Sequence, residues 1–249
     1  MNIPLRLLLL FFSVFCLSQT VMHAQKASQS PPAELRGAWV ATVANIDFPS
    51  RPGLSSAEIK TEFDSLLDIL KAMNMNAVFV QIRPAGDAFY KSKTVPLSKF
   101  LVGRQGAMLD DSLFDPLEYM IKSAHNRRIE FHAWLNPYRA TFDPDISALD
   151  SLHPLRSLPD RRKAEWFYRY GRKWYFNPAS SAVRQYLTNV VRDIVQRYDV
   201  DGIHFDDYFY PYKEKDLNLD DALDDYDAFA SGDHEFTDIG DWRRNNINL

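Results

Sequence analysis

The sequence predicts an α/β protein of the (β/α)8-barrel (TIM barrel) class, with about the first half of the barrel present in its 249 residues. Strand-like segments alternate with helix-like segments from residue 34 onward, as in parallel βα units. The strand-like segments are apolar on both faces, which is typical of buried parallel strands. The long polar loops follow the strands, at the ends where barrel enzymes build their sites.

The first βα unit and the strand that follows it occupy residues 35–83. Residues 35–42 (LRGAWVAT) predict a strand, and a loop rich in proline and glycine follows it. Ser55 or Ser56 then caps a helix whose apolar residues recur at helical spacing. Residues 77–83 (AVFVQIR) predict the second strand, which is almost continuously apolar.

Two further units follow in the same order. The pair Asp115-Pro116 opens a helix with proline in its first turn. Residues 129–136 (IEFHAWLN) predict the third strand, and a long polar and aromatic segment follows it. The sequence NPAS at 177–180 opens another helix, which leads to the fourth strand at 202–209.

The barrel is favoured over a dinucleotide-binding sheet because no Gly-x-Gly-x-x-Gly sequence follows the first strand. A barrel needs eight strands, and four are visible. Residues 242–249 (WRRNNINL) resemble the first turns of another helix. We therefore expect the barrel to be truncated after its fourth βα unit.

The amino terminus predicts export. In residues 1–24, Arg6 precedes an apolar run, and Ala24 stands at a plausible cleavage point, as in a signal peptide. The run is too short for a comfortable membrane span, so no transmembrane segment is expected after its removal. Cys16 follows Phe15 rather than a small residue, which favours ordinary export over a lipid anchor. The protein is then periplasmic, on the cell surface or secreted.

Residues 25–33 predict a short linker, and residues 34–249 the barrel domain. Because the only cysteine lies in the signal peptide, the mature chain has neither a disulfide nor a thiol nucleophile. The net charge of −4 argues against a nucleic-acid partner. Aromatic residues make up 14% of the chain, and many of them stand among polar residues, which suits stacking on sugars as well as core packing.

Side chains two residues apart share a face of a strand, so polar residues near the strand ends can converge. We expect one such face at the barrel mouth. Its members are Phe79, Gln81 and Arg83 from the second strand, His132, Trp134, Asn136 and Tyr138 from the third, and His204, Asp206 and Tyr208 from the fourth.

Burying so many polar groups without a use is expensive, so this face predicts a functional site. A metal-dependent hydrolase would need His132, His204 and Asp206 to converge on one ion. The sequence has neither His-x-His nor His-Glu-x-x-His spacing, so no metal and no cofactor is expected.

Four distinctive motifs occur between residue 34 and the end of the chain. They are LRGAWV at 35–40, HAWLNPYR at 132–139, YFNP at 175–178 and YDVDGIHFDDYFYP at 198–211. These motifs resemble those of the glycosyl hydrolase-like 10 family, which comprises exported bacterial proteins with a (β/α)8 barrel. The resemblance implies a glycoside hydrolase that acts on peptidoglycan glycan strands or related polysaccharides.

Hydrolysis of a glycosidic bond needs two carboxyl groups that flank it. Asp206 is the best candidate for one, with His204 or Arg83 holding it ionised. Asp207, on the opposite face, is an orienting candidate, although a bulge would exchange the two. Asp47 and Asp87 lie on loops after the first two strands, but we expect the second carboxylate on a strand beyond the four visible ones.

The remaining candidates are assigned to substrate binding. Trp134 and Tyr208 are expected to stack on sugar rings, and Asn136, Tyr138 and Arg83 to donate hydrogen bonds to sugar hydroxyls; His132 is assigned to the same site. The alternative hypothesis is a non-catalytic cell-surface protein that binds glycans with the same barrel.

Overall fold

The computed structural model describes residues 34–142, 145–206, 209–212, 223, 225–232 and 234–249. Residues 36–249 form one compact unit. The strands are β1 (Gly37–Val40), β2 (Ala77–Arg83), β3 (Glu130–Leu135), β4 (Phe167–Tyr170), β5 (Lys173–Phe176) and β6 (Gly202–Phe205).

Eight α-helices occur in the described part of the chain, together with 3-10 turns at Val43–Asn45 and Ile146–Ala148. Among these helices, none is long and apolar enough to cross a membrane. The helices are α1 (Ser56–Ala72), α2 (Lys99–Val102), α3 (Pro116–Asn126), α4 (Pro154–Ser157), α5 (Asp160–Trp166), α6 (Ser181–Arg197), α7 (Tyr226–Ser231) and α8 (Ile239–Asn248).

The three long predicted helices begin at side-chain caps. Ser55 caps α1 in a reciprocal capping box with Glu58, so the first of the two predicted serines is the cap. Asp115 caps α3 by accepting from the backbone N–H groups of its first turn, and Ser180 caps α6. These bonds satisfy backbone donors that a helix leaves free at its start.

The main sheet has the order β1-β2-β3-β6, and every neighbouring pair is parallel. Apolar residues from alternate strand positions and from α1, α3 and α6 form one core. That core includes Val78, Val80, Phe131 and Ala133 from the strands, and Ile59, Phe63, Leu117, Met120, Val190 and Ile194 from the helices.

The helices therefore pack on one face of a sheet whose strands follow chain order. A doubly wound sheet carries helices on both faces. Successive units of a (β/α)8 barrel carry them on the outer face only. The predicted fold class is confirmed: the described strands are four successive parallel strands of a partial barrel.

The segment between β3 and α6 differs from the loop that the sequence predicted. It contains α4, α5 and an antiparallel hairpin of β4 and β5. Both strands of the hairpin carry aromatic residues at adjacent positions, so neither shows an alternation of apolar and polar residues. Most aromatic rings of the segment are buried in two small clusters, so they take part in packing, one of the two uses expected of the aromatic residues; they include Trp166, Phe167, Tyr168, Tyr170, Tyr175 and Phe176.

Candidate functional site

The sheet face opposite the helices carries a group of aromatic and imidazole rings. The strand register places Trp39, Phe79 and His132 side by side, and Trp134 beside His204. Phe79 stacks on His132 with ring centroids 4.6 Å apart, and Trp39 lies 5.7 Å from His204. The alternation therefore grouped Phe79, His132, Trp134 and His204 on one face, as predicted.

The rings on this face differ in exposure. Trp39 is 64% exposed, whereas Trp134 is 9% exposed. The indole Nε1 of Trp134 is buried with no hydrogen-bond partner among the residues described, and so is Nε2 of His204. Trp134 is thus packed on its neighbours rather than open to a sugar. Trp39, to which the sequence reasoning gave no role, is the exposed ring of the group.

His132 lies away from the carboxyl ends of the strands, where Asp206 stands. Its register partner is Gly202, the first residue of β6. A Cβ atom at Gly202 would lie 2.4 Å from Nδ1 of His132, so glycine is needed for the two strands to meet here. Nε2 of His132 shares a hydrogen bond of 3.1 Å with the carboxylate of Glu130.

The position of His132 argues against the metal-dependent alternative, in which His132, His204 and Asp206 bind one ion. Asp206 follows Gly202 by four residues, about 13 Å along an extended chain. His132 therefore does not meet His204 and Asp206 at one point. Within the described ranges, no group of three or more histidine, cysteine, aspartate or glutamate side chains is arranged to hold an ion.

The prediction that Arg83 shares the face of Phe79 and Gln81 is wrong. The register of β2 against β3 shifts between Gln81 and Arg83, so Arg83 lies opposite Leu135, a residue of the helix-side core. Its side chain is fully buried and donates from Nη1 to the carbonyls of Asn136 (3.0 Å) and Pro137 (3.1 Å). The extra residue at the shift inverts the alternation beyond it.

The surroundings of Arg83 confirm that it belongs to the packed side of the sheet. Its guanidinium carbon lies 5.6 Å from the ring centroid of Phe176 on the hairpin. Burial raises the pKa of Tyr186 on α6, and the nearby Arg83 charge opposes that rise. Arg83 therefore joins the strand ends to α6 and the hairpin instead of facing a cleft.

A chain of side-chain amides runs across the carboxyl ends of the four strands. Oε1 of Gln81 accepts from the backbone N–H groups of Thr42 (2.9 Å) and Val43 (2.8 Å). Nε2 of Gln81 donates to Oδ1 of Asn136 at 2.5 Å. Nδ2 of Asn136 donates to the backbone carbonyl of Asp206 at 2.6 Å.

Asn136 is thus engaged within the protein. It is 1% exposed, so it does not reach a sugar hydroxyl in this arrangement, contrary to the sequence prediction. Sequence reasoning placed Gln81 on the correct face but gave it no role. The sequence signal for its role was the presence of a side-chain amide inside an otherwise apolar strand, because a buried amide needs hydrogen-bond partners.

Asp206 is half-buried and directly follows the last residue of β6. The residues described give no hydrogen bond from His204 or Arg83 to its carboxylate, so neither of the predicted supporting groups reaches it. Asp207 and Tyr208 lie outside the described residues.

Tyr138 is packed beside α6 rather than open at the barrel mouth. It is 7% exposed, and its ring lies 6.2 Å from that of Phe209. Burial raises the pKa of its hydroxyl, and the charge of Arg184 opposes this effect. The Tyr138 side chain is therefore too buried to make the predicted hydrogen bond to a sugar hydroxyl.

The two loop carboxylates considered as partners of Asp206 are engaged elsewhere. Asp47 accepts a hydrogen bond of 2.8 Å from the backbone N–H of Ala41. Asp87 is 3% exposed, and its Oδ2 accepts from Nε2 of Gln105 at 3.1 Å. Burial raises the pKa of Asp87 despite that bond. Asp87 lines a separate cavity of about 130 Å³.

A buried histidine joins the loops that follow β2 and β3. Nδ1 of His153 accepts from the backbone N–H of Leu155 (3.1 Å), so Nε2 carries the proton and donates to the carbonyl of Ala140 (2.9 Å). A Cβ atom at Gly86 would lie 2.3 Å from Nε2 of His153, so glycine is required there. Burial lowers the pKa of His153 to about 4.

Comparison with known proteins gives a consistent result. The family model described as Glycosyl hydrolase-like 10 matches residues 34–249. The chain is 43% identical over 223 residues to "Glycosyl hydrolase YngK" of Bacillus subtilis (strain 168), covering 89% of this chain and 42% of that protein. It is 30% identical over 243 residues to "Glycosyl hydrolase DigH" of Escherichia coli (strain K12), covering 90% of this chain and 54% of that protein.

The chain therefore spans about half the length of the curated relatives it matches. Among solved structures, "Alpha-L-fucosidase isoenzyme 2 from Paenibacillus thiaminolyticus" aligns with a TM-score of 0.47 and 16% identity. That alignment covers 87% of this chain and 29% of the fucosidase chain. A similarity with this TM-score and identity gives no information about the activity of the chain.

Proposed function

Because the chain belongs to the glycosyl hydrolase-like 10 family, we propose that it is an exported glycoside hydrolase with Asp206 as a catalytic carboxylate. Its substrates are peptidoglycan glycan strands or related polysaccharides. The names of YngK and DigH support the reaction class, since both are called glycosyl hydrolases. The apolar run after Arg6 supports export to the periplasm, the cell surface or the medium.

The observation that carries the proposal is the position of Asp206. It stands at the carboxyl end of a barrel strand, where barrel enzymes place their catalytic groups. The amide of Asn136 donates to its backbone carbonyl, and the residue as a whole is half-buried. In a glycosidase this group protonates the leaving oxygen, attacks the anomeric carbon or activates water.

Asp47 and Asp87 each accept a hydrogen bond within the loop that carries them, and the second carboxylate stays predicted on a strand beyond the four described. Asp207 remains the predicted orienting residue. The alternative, a protein that binds glycans without cleaving them, needs no second carboxylate. The test must therefore separate hydrolysis from binding.

The test measures the release of reducing ends from purified peptidoglycan glycan strands and from common polysaccharides. It compares the wild type with Asp206→Asn, in this chain and in the full open reading frame of its gene. The matched control is Asp199→Asn, because the Asp199 side chain is 96% exposed near the same strand. We expect Asp206→Asn to lower the rate at least about 100-fold and the control to leave it unchanged.

Equal rates for Asp206→Asn and wild type would remove Asp206 from the mechanism. Retained co-sedimentation with glycan, but no release of reducing ends by any wild-type protein, would support the binding alternative instead.

A further inference from the structure

We infer that Gln81 is a positioning residue for Asp206 and acts through the side chain of Asn136; the inference rests on the proposed role of Asp206. Nothing in the sequence motifs assigns Gln81 a part in the reaction. The direction of each hydrogen bond in the amide chain points to this role.

The orientation of the Gln81 amide is fixed by the backbone. Two N–H donors, from Thr42 at 2.9 Å and Val43 at 2.8 Å, point at the same side-chain atom. Only the carbonyl oxygen of the amide can accept from both. The NH2 group of Gln81 must therefore face β3.

The same reasoning fixes the next amide. The atom of Asn136 that faces the Gln81 NH2 group at 2.5 Å must be an acceptor, hence Oδ1. The NH2 group of Asn136 is thereby turned towards β6, where the carbonyl of Asp206 accepts from it at 2.6 Å. The end of β1 thus determines, through two side chains, which group meets Asp206.

The hydrogen bond between Asn136 and Asp206 lies just beyond the last backbone pairing of β3 and β6. The last paired residues of β3 and β6 are Leu135 and Phe205, so Asp206 lies one residue beyond the ladder. The Asn136 amide there supplies a hydrogen bond across strands in place of a backbone one. Gln81 and Asn136 are each 1% exposed, so water does not readily replace either bond.

The expected effect is on the location of the Asp206 carboxylate. A displacement of about 1 Å of a catalytic group can cost on the order of 100-fold in rate. A residue that merely stabilised the fold would not have this effect at a temperature where the variant is fully folded.

Two isosteric substitutions change the direction of the hydrogen bonds without changing the volume. Asn136→Asp keeps an acceptor for Gln81 but turns an oxygen towards the carbonyl of Asp206. Gln81→Glu keeps the acceptor for β1 but turns an oxygen towards Asn136, which must rotate its amide and direct its own oxygen at Asp206. Gln81→Met, which buries no charge, is included in case the acidic variants fail to fold.

The chain offers a matched control on the surface of α6. Nε2 of Gln185 donates to Oδ1 of Asn189 at 3.1 Å, and both residues are exposed. Gln185→Glu and Asn189→Asp therefore repeat the same chemical changes on the exposed surface of a helix, outside the chain of amides.

The experiment has two readouts. The first is the NMR chemical shifts of the Asp206 carboxyl carbon and backbone amide without substrate. The second is kcat and KM for the glycan that the wild type hydrolyses. We expect shifted Asp206 resonances in Gln81→Met and Asn136→Asp, with kcat reduced about 10- to 100-fold and KM changed less than about 3-fold. The surface controls should match the wild type.

Unchanged Asp206 resonances and unchanged kcat in a folded Gln81→Met protein would overturn the inference. If the wild type hydrolyses no glycan, the proposed function fails, and the first readout decides the positioning role alone. Displaced Asp206 resonances would support that role, and unperturbed resonances would overturn it.

Discussion

The protonation of His153 is expected to destabilise the fold as the pH falls below 6.5. His153 is fully buried, and burial lowers its pKa from 6.5 to about 4. Between these two pH values the imidazole of His153 is mostly protonated in the unfolded chain and mostly neutral in the folded protein. Stability therefore falls as the pH falls through this window.

The size of the effect follows from the two pKa values. At pH 5 the unfolded histidine is almost fully protonated and the folded one is largely neutral, which costs about 2 kcal/mol of stability relative to pH 7. The full difference, reached below pH 4, is about 3 kcal/mol.

The perturbation is His153→Asn, and the assay is urea unfolding at pH 7 and pH 5. Asparagine still accepts from the Leu155 N–H as a helix cap, but it loses the hydrogen bond to Ala140. At pH 7 the variant should be less stable by about 1–3 kcal/mol. At pH 5 the difference should shrink by about 2 kcal/mol, because only the wild type loses stability through this group.

Other titrating groups contribute equally to both proteins and cancel in the comparison. Burial raises the pKa of Asp87, so this carboxyl stabilises the folded state as the pH falls, an effect opposite to that of His153. Leu67→Ala serves as a control, since it opens a cavity in the core and leaves every titratable group in place. A wild type and His153→Asn whose stabilities differ by the same amount at both pH values would refute the reasoning.

Two further predictions concern packing and a buried ion pair. Gly202→Ala should cost about 1–3 kcal/mol in urea unfolding, because its Cβ would meet His132 at 2.4 Å; adding His132→Ala should recover part of that loss, and no recovery would point to another cause. Asp225 accepts from Nε (2.8 Å) and Nη2 (2.6 Å) of Arg243, with side chains 1% and 8% exposed. Asp225→Asn should therefore cost about 3–5 kcal/mol. Asp241→Asn, at an exposed ion pair on α8, should cost less than about 1 kcal/mol, and equal losses would contradict the role of burial.

The long helices and the parallel strands could be predicted because their signals are local. The cap at Ser55 and the pair Asp115-Pro116 mark helix starts within four residues of sequence. The apolar spacing of α1 and the continuous apolar run of β2 distinguish helix from strand over one element. The β4–β5 hairpin escaped prediction because adjacent aromatic residues in both strands hide any alternation of apolar and polar positions.

The site was predictable only in part. The alternation grouped His132, Trp134 and His204 correctly because β3 and β6 pair without a shift. It failed for Arg83 because the shift in β2 depends on how β2 packs against β3. Burial also decided that Trp134 is covered while Trp39 is exposed, which no pattern within a single strand reveals.

The sequence by itself determined the order of the βα units, the family motifs and the placement of Asp206 at the end of a strand. The tertiary structure alone decided which groups hold Asp206. Gln81 bonds to a residue 39 positions earlier and Asn136 to one 70 positions later. Such partners are set by strand register and by the need to pair buried polar groups, and both arise only when separate units pack together.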